Sequence, residues 1–171
     1  KAEAVMGEIK EDEGGNGFAL MLKFRLNVSQ EKFDIAGGML PAIFKLSPDS
    51  PYFHYRALKV AVEFDVVELC EAIATEGVKR EFPVPDFGLT LAKCRFANKD
   101  HEGALKLAED TVARYGGSQD LYNLIGACHR KALRYDVAIQ CYEKALKLAP
   151  MDAKIYFNLA ICAQTMGQHE M

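Results

Sequence analysis

Residues 119–152 read QDLYNLIGACHRKALRYDVAIQCYEKALKLAPMD, and the reading of this stretch decides the fold. Leu121, Ile125, Ala127 and Cys128 fall on one face of a first helix, and Val137, Ile139, Tyr142, Ala145, Leu146 and Leu148 on one face of a second. Leu133, Arg134, Tyr135 and Asp136 leave room between them only for a tight reversal, so the two helices run antiparallel. Pro150 then stops the second helix, because proline cannot continue the hydrogen-bond ladder.

Outward from this unit the same features return every 34 residues. Breakers stand at Pro48, Phe82-Pro83, Gly116 and Pro150, and small residues at Ala36, Cys70, Ala104 and Ala138. Leu91, Ile125 and Leu159 keep the step, and so do Ala92, Gly126 and Ala160. A fixed period of this length signals stacked helical pairs rather than a single globular core. The expected fold is all-α, a right-handed α-solenoid of antiparallel helix pairs. Its units span 17–50, 51–84, 85–118 and 119–152, with the first helix of a further, truncated unit at 153–171. Residues 1–16 read as an N-terminal helix, with Ala2, Val5, Met6 and Ile9 on one side, followed by an acidic, Gly-rich linker.

The small residues predict how the pairs fit. Without bulk at Ala92, Gly126 and Ala160 on first helices, or at Cys70, Ala104 and Ala138 on second helices, two backbones can approach closely. Phe33, Val67 and Tyr135 are expected to fill the gaps between pairs. In the first unit Gly37, Gly38 and Pro41 fall inside the second helix and predict a kink or a delayed start. Residues 81–86, holding Pro83 and Pro85, read as a slight joint.

Composition excludes several classes. Half of the residues are hydrophobic and the net charge is -3, which favours neither nucleic acid nor an anionic membrane. No apolar run approaches the roughly 20 residues that span a bilayer. Lys1-Ala2-Glu3-Ala4 is no secretory signal, and the chain reads as a piece of a longer protein. Of five cysteines, Cys94, Cys128 and Cys162 are themselves 34 apart. Stacked equivalents about 10 Å apart are too distant for a disulfide, so these read as compact apolar packing residues in a cytoplasmic setting.

No catalytic constellation emerges. His54, His101, His129 and His169 lack the spacing that puts two ligands on one helix face. No phosphate-binding Gly-Lys loop occurs, and Gly14-Gly15-x-Gly17 lacks the strand a dinucleotide site needs. Glu109 and Asp110 point in different directions on a helix, as a solvated face does. The expectation is a non-enzymatic protein without metal or cofactor.

Tyr122-x-x-Ile125-Gly126, Tyr135, Ala138, Tyr142, Ala145 and Pro150 resemble the tetratricopeptide repeat (TPR) family. Tyr156, Leu159-Ala160 and Gly167 fill the same slots in 153–171, and Leu91-Ala92, Ala104, Ala108 and Thr111 in 85–118. The resemblance implies that first helices line a concave, peptide-binding surface. By slot, that surface takes Phe18, Met21, Arg25 and Val28, then Tyr52, Tyr55, Arg56, Lys59 and Val62. Asp86, Leu89, Lys93, Phe96, Asn123, Arg130 and Lys131 follow, then Lys154, Phe157 and Asn158. Arg25, Lys59 and Lys93 predict a basic line, flanked by Phe18, Tyr52, Tyr55 and Phe96. The set departs from the family's chaperone-tail clamp, since Asn123 is one slot off.

The expected function is a protein-interaction scaffold whose groove takes an acidic, partly apolar peptide. The alternative is a regulatory or output module of a larger signalling protein that dimerises through its ends. Two features favour it: residues 1–6 resemble the last helix of bacterial receiver domains, and 153–171 presents Leu159, Ile161 and Cys162 without a following helix. Binding of single-stranded nucleic acid is disfavoured by Glu63, Asp86 and Asp120 among the basic residues.

Overall fold

The computed structural model describes residues 16–169, which contain α-helices and no β-strand. The helix expected over 1–13 and the linker up to residue 15 lie outside the described residues. In chain order the helices are α1 (Asn16–Ser29), α2 (Phe33–Leu46), α3 (Tyr52–Glu63), α4 (Val67–Lys79) and α5 (Pro85–Ala97). They continue with α6 (His101–Tyr115), α7 (Gln119–Lys131), α8 (Tyr135–Leu148) and α9 (Ala153–His169). The chain divides into two compact units between Phe87 and Gly88, close to the start of α5.

In the first unit α1 packs on α2 and α3, and α3 on α4. In the second, α7 packs on α6 and α8, and α8 on α9. Within each unit helices therefore meet their chain neighbours, the order expected of stacked helical pairs.

The tight reversals share one backbone device. Glu31, Asp65, Lys99 and Leu133 have φ of 59°, 54°, 67° and 60°, and they recur at the 34-residue step. The next residue's N–H donates to a carbonyl five residues back: Lys32 to Asn27 (2.9 Å), Val66 to Ala61 (3.0 Å), Asp100 to Arg95 (3.0 Å) and Arg134 to His129 (2.9 Å). This left-handed cap closes the carbonyls left open by the last helical turn. Glycine is its usual residue, yet none of the four is glycine. A left-handed residue with a Cβ costs roughly 1–2 kcal/mol, which helix packing must offset.

The two interiors differ. The first unit buries Phe24, Val28, Ile43, Leu58, Ile73 and Phe87. His54 is fully buried among aromatic rings, stacked on Phe44 at 4.7 Å and edge-on to Phe82 at 4.9 Å. The second unit is built from smaller groups: Ala92, Ala104, Ala108, Leu121, Leu124 and Cys128 in one cluster, Ala138, Tyr142, Ala145, Ile155 and Cys162 in another. The small slots on the sequence have their expected purpose here. A Cβ on Gly126 would lie 2.6 Å from the Tyr142 ring, and one on Gly77 would enter the Phe87 ring.

Several sequence expectations need correction. Helix α2 begins at Phe33 and runs unbroken through Pro41, so its start is not delayed. Burial of Ala36, Leu40 and Ile43 along it outweighs the poor helix propensity of Gly37, Gly38 and Pro41. Phe33 and Val67 do not fill gaps between pairs but stand exposed, as do Val137 and Leu148 of the expected apolar face. Ala160 is exposed as well. Val28, expected on the concave surface, lies in the core.

Candidate functional site

Helices α1 and α3 enclose a groove of about 290 Å³ in the first unit. Met21, Leu22 and Arg25 line it from α1, and Tyr55, Arg56, Lys59, Val60 and Glu63 from α3. Apolar and cationic side chains come from both helices. Four of the expected site residues, Arg25, Tyr55, Arg56 and Lys59, meet here, and Phe18 and Tyr52 stand beside them through Arg56.

Aromatic rings hold the cations. The Arg56 guanidinium lies 5.8 Å from the Phe18 ring centroid and 5.6 Å from that of Tyr52, and its Nη1 donates to the Tyr52 hydroxyl at 3.2 Å. The Lys59 ammonium lies 5.8 Å from the Tyr55 centroid. Arg25 lies 5.8 Å from the Phe64 centroid. Each such contact contributes about 0.5–1 kcal/mol where solvent reaches it, and it narrows the positions a long side chain can adopt. Phe18, Leu22 and Tyr52 are themselves exposed, with 58%, 55% and 45% of their surface in solvent.

The charges are unevenly spent. Arg25 is engaged by Glu63 through two bonds, Nη1–Oε2 at 2.8 Å and Nη2–Oε1 at 2.7 Å. Both side chains are about half exposed, so the pair stabilises the unit by only about 0–1 kcal/mol and is easily displaced. Among the described residues Arg56 and Lys59 have no carboxylate within ion-pair distance. Three cations against one carboxylate leave the groove with a surplus of positive charge.

Leu89, Lys93, Phe96, Asn123, Arg130 and Asn158, expected on the same surface, belong to the second unit and are engaged differently. Lys93 is paired with Asp120 at 2.7 Å. Leu89 and Phe96 pack against the core, with the Phe96 ring 4.7 Å from His101. Asn158 donates to the Asn123 side chain at 2.9 Å. Arg130 is partly buried beside Tyr142. Burial pushes the Tyr142 pKa up, and the neighbouring Arg130 opposes that.

Leu22, Val60, Glu63 and Phe64 join the site without having been expected there. Glu63 had a signal in the sequence: it follows Lys59, the repeat equivalent of Arg25, by one helical turn. Leu22 had none, since a residue adjacent to Met21 points to a different side of the helix.

Titratable groups elsewhere serve packing. All five cysteines are buried thiols. Burial pushes Cys128 up to about 11 and raises Cys141 and Cys162 as well, and thiols so raised stay protonated and unreactive. Burial lowers the His54 pKa, with Arg80 adding to the shift and Glu76 opposing it. Burial likewise lowers His129, helped by Arg134. Among the described residues no cluster of His, Cys, Asp and Glu could hold a metal, and no helix is long and apolar enough to cross a membrane.

Comparison with known proteins supplies the context. Residues 134–167 match the family model described as TPR repeat. The crystal structure of MamA protein superposes with a TM-score of 0.73 at 16% identity, covering 90% of this chain and 84% of that one. The crystal structure of YrrB, described as a TPR protein with an unusual peptide-binding site, superposes with a TM-score of 0.64 at 14% identity, covering 97% and 84%. The peroxisomal targeting signal receptor of Eremothecium gossypii is 28% identical over 83 residues, which make up 48% of this chain and only 15% of that receptor.

Proposed function

We propose that this chain, in which residues 134–167 match the tetratricopeptide-repeat family model, is a protein–protein interaction scaffold whose α1–α3 groove binds an acidic, partly apolar peptide. One observation carries the reading. Arg56 and Lys59, held by aromatic rings and without a carboxylate of their own among the described residues, share one groove with the apolar Met21, Leu22 and Val60. Exposed aromatic and apolar groups supply affinity, and the cations select the sign of the partner's charge. YrrB, which shares the fold and has an unusual peptide-binding site, supports this use of it.

The test is binding of an acidic, leucine-containing peptide to the protein and to Arg56→Glu, Lys59→Glu, with helical content checked by circular dichroism. The double variant is expected to lose at least about tenfold in affinity and most of the salt dependence. Equal affinity and an equal salt slope for both proteins would remove the groove from consideration.

A second reading is self-association through α9, as in a regulatory module that dimerises through its end. Met151, Tyr156 and Phe157 favour it, being 92%, 53% and 67% exposed. Sedimentation at two concentrations separates the readings, since a species that stays monomeric has no such end contact.

A further inference from the structure

Resting on the acidic-peptide reading of the α1–α3 groove, we infer that the group it selects is a phosphorylated serine or threonine of the partner rather than a single carboxylate.

Charge is the first argument. Arg25, Arg56 and Lys59 line the groove with Glu63, so the arrangement is short of about two negative charges. A phosphate monoester carries roughly −1.5 to −2 at neutral pH, whereas a carboxylate carries one.

The second argument is what Glu63 already does. Its carboxylate closes on Arg25 through two bonds. A partner carboxylate offered to Arg25 would exchange one such pair for another, with little gain and a loss of freedom for the incoming chain. A phosphate has three acceptor oxygens. It can engage Arg56 and Lys59 while Glu63 stays in place, or displace Glu63 and add Arg25.

The third argument is preparation. The rings of Tyr52 and Phe18 flank the Arg56 guanidinium, and Tyr55 underlies Lys59, so both donors are restricted before any ligand arrives. The groove volume of about 290 Å³ accommodates a phosphorylated side chain, with Leu22 exposed at its rim for an apolar neighbour.

The experiment uses one peptide in three forms, with serine, glutamate or phosphoserine at the central position, titrated at constant ionic strength. At about pH 7.5 the phosphoserine form is expected to bind at least about tenfold tighter than the glutamate form, and that ratio to shrink near pH 5, because the phosphate's second pKa is about 6. The glutamate peptide measured at both pH values controls for any change in the protein itself. Arg56→Ala, Lys59→Ala should abolish the preference, bringing the phosphoserine form down to the level of the serine form. Millimolar inorganic phosphate should compete with the phosphoserine form. Equal binding of the glutamate and phosphoserine forms would overturn the phosphate inference and leave the acidic-peptide reading standing. Failure of both to bind would overturn that reading. Tighter binding of a single-stranded oligonucleotide than of the phosphopeptide would move the phosphate source to nucleic acid and overturn the inference.

Discussion

The two units use one helical plan for different ends. The first packs aromatic rings and a neutral histidine inside and leaves two cations of its groove without carboxylates among the described residues. The second packs small residues and thiols around Tyr142 and ties its polar residues to one another, Lys93 to Asp120 and Asn123 to Asn158. Repeat position alone therefore does not decide whether a cation is paired: Lys93 is engaged by Asp120, whereas its repeat equivalent Lys59 has no carboxylate within ion-pair distance among the described residues.

The largest expected effect tests the second interior. Tyr142 is fully buried and fits the space left by Gly126. Tyr142→Ala should lower unfolding free energy by about 3–5 kcal/mol in urea titration, as aromatic truncation in a core does. A loss below about 1 kcal/mol would mean that the ring is not the keystone of that cluster.

Binding sharpens the contrast between the units. While Arg56→Glu, Lys59→Glu should cost the acidic peptide at least about tenfold, Lys93→Glu should change its affinity less than about twofold, because Asp120 already neutralises that lysine. Equal losses in titration calorimetry would show that pairing does not decide which cations bind.

Acid should act through the first interior. Burial holds the native His54 pKa below the ordinary value of 6.5 that the unfolded chain regains. As pH falls below that value, the unfolded chain takes up a proton that the native state resists, so stability falls until the lowered native pKa is reached. Stability thus rises with pH across this window. Around the imidazole Arg80 opposes a positive charge, while Glu76 and the backbone of Ser50 favour one, and burial outweighs both. His54→Leu should flatten the decline of melting temperature between neutral pH and pH 5. His129 in the second unit, lowered in the same direction, contributes a slope of the same sign. An unaltered slope in the variant would detach acid sensitivity from His54.

The smallest effect concerns the reversals common to both units. Leu133 sits in the left-handed region at φ 60° with 72% of its surface exposed. Leu133→Gly relieves the Cβ conflict and should raise stability by about 1 kcal/mol, read as a shifted urea midpoint. A loss of stability would mean that glycine's greater freedom in the unfolded chain outweighs the relief.

Much of this was legible in the sequence. The 34-residue step in small residues and breakers specifies helix pairs because every pair must meet its neighbours through the same close approach. Arg25, Tyr55, Arg56 and Lys59, which line the groove, followed from the slots of the tetratricopeptide-repeat resemblance. The left-handed caps did not, since Glu31, Asp65, Lys99 and Leu133 share no chemistry and only a backbone angle unites them. Nor did the exposure of Phe33 and Val67, because helical periodicity states which face a residue occupies and not how deeply its neighbours cover it.

The sequence by itself determined the helical plan and its period, which depend on local spacing along the chain, and its family resemblance supplied some of the charged side chains that line the groove, Arg25, Arg56 and Lys59. Only tertiary structure decided which of those charges are spent. An ion pair such as Arg25–Glu63, 38 residues apart, forms through space between two packed helices, and no local rule records whether the partner is within reach.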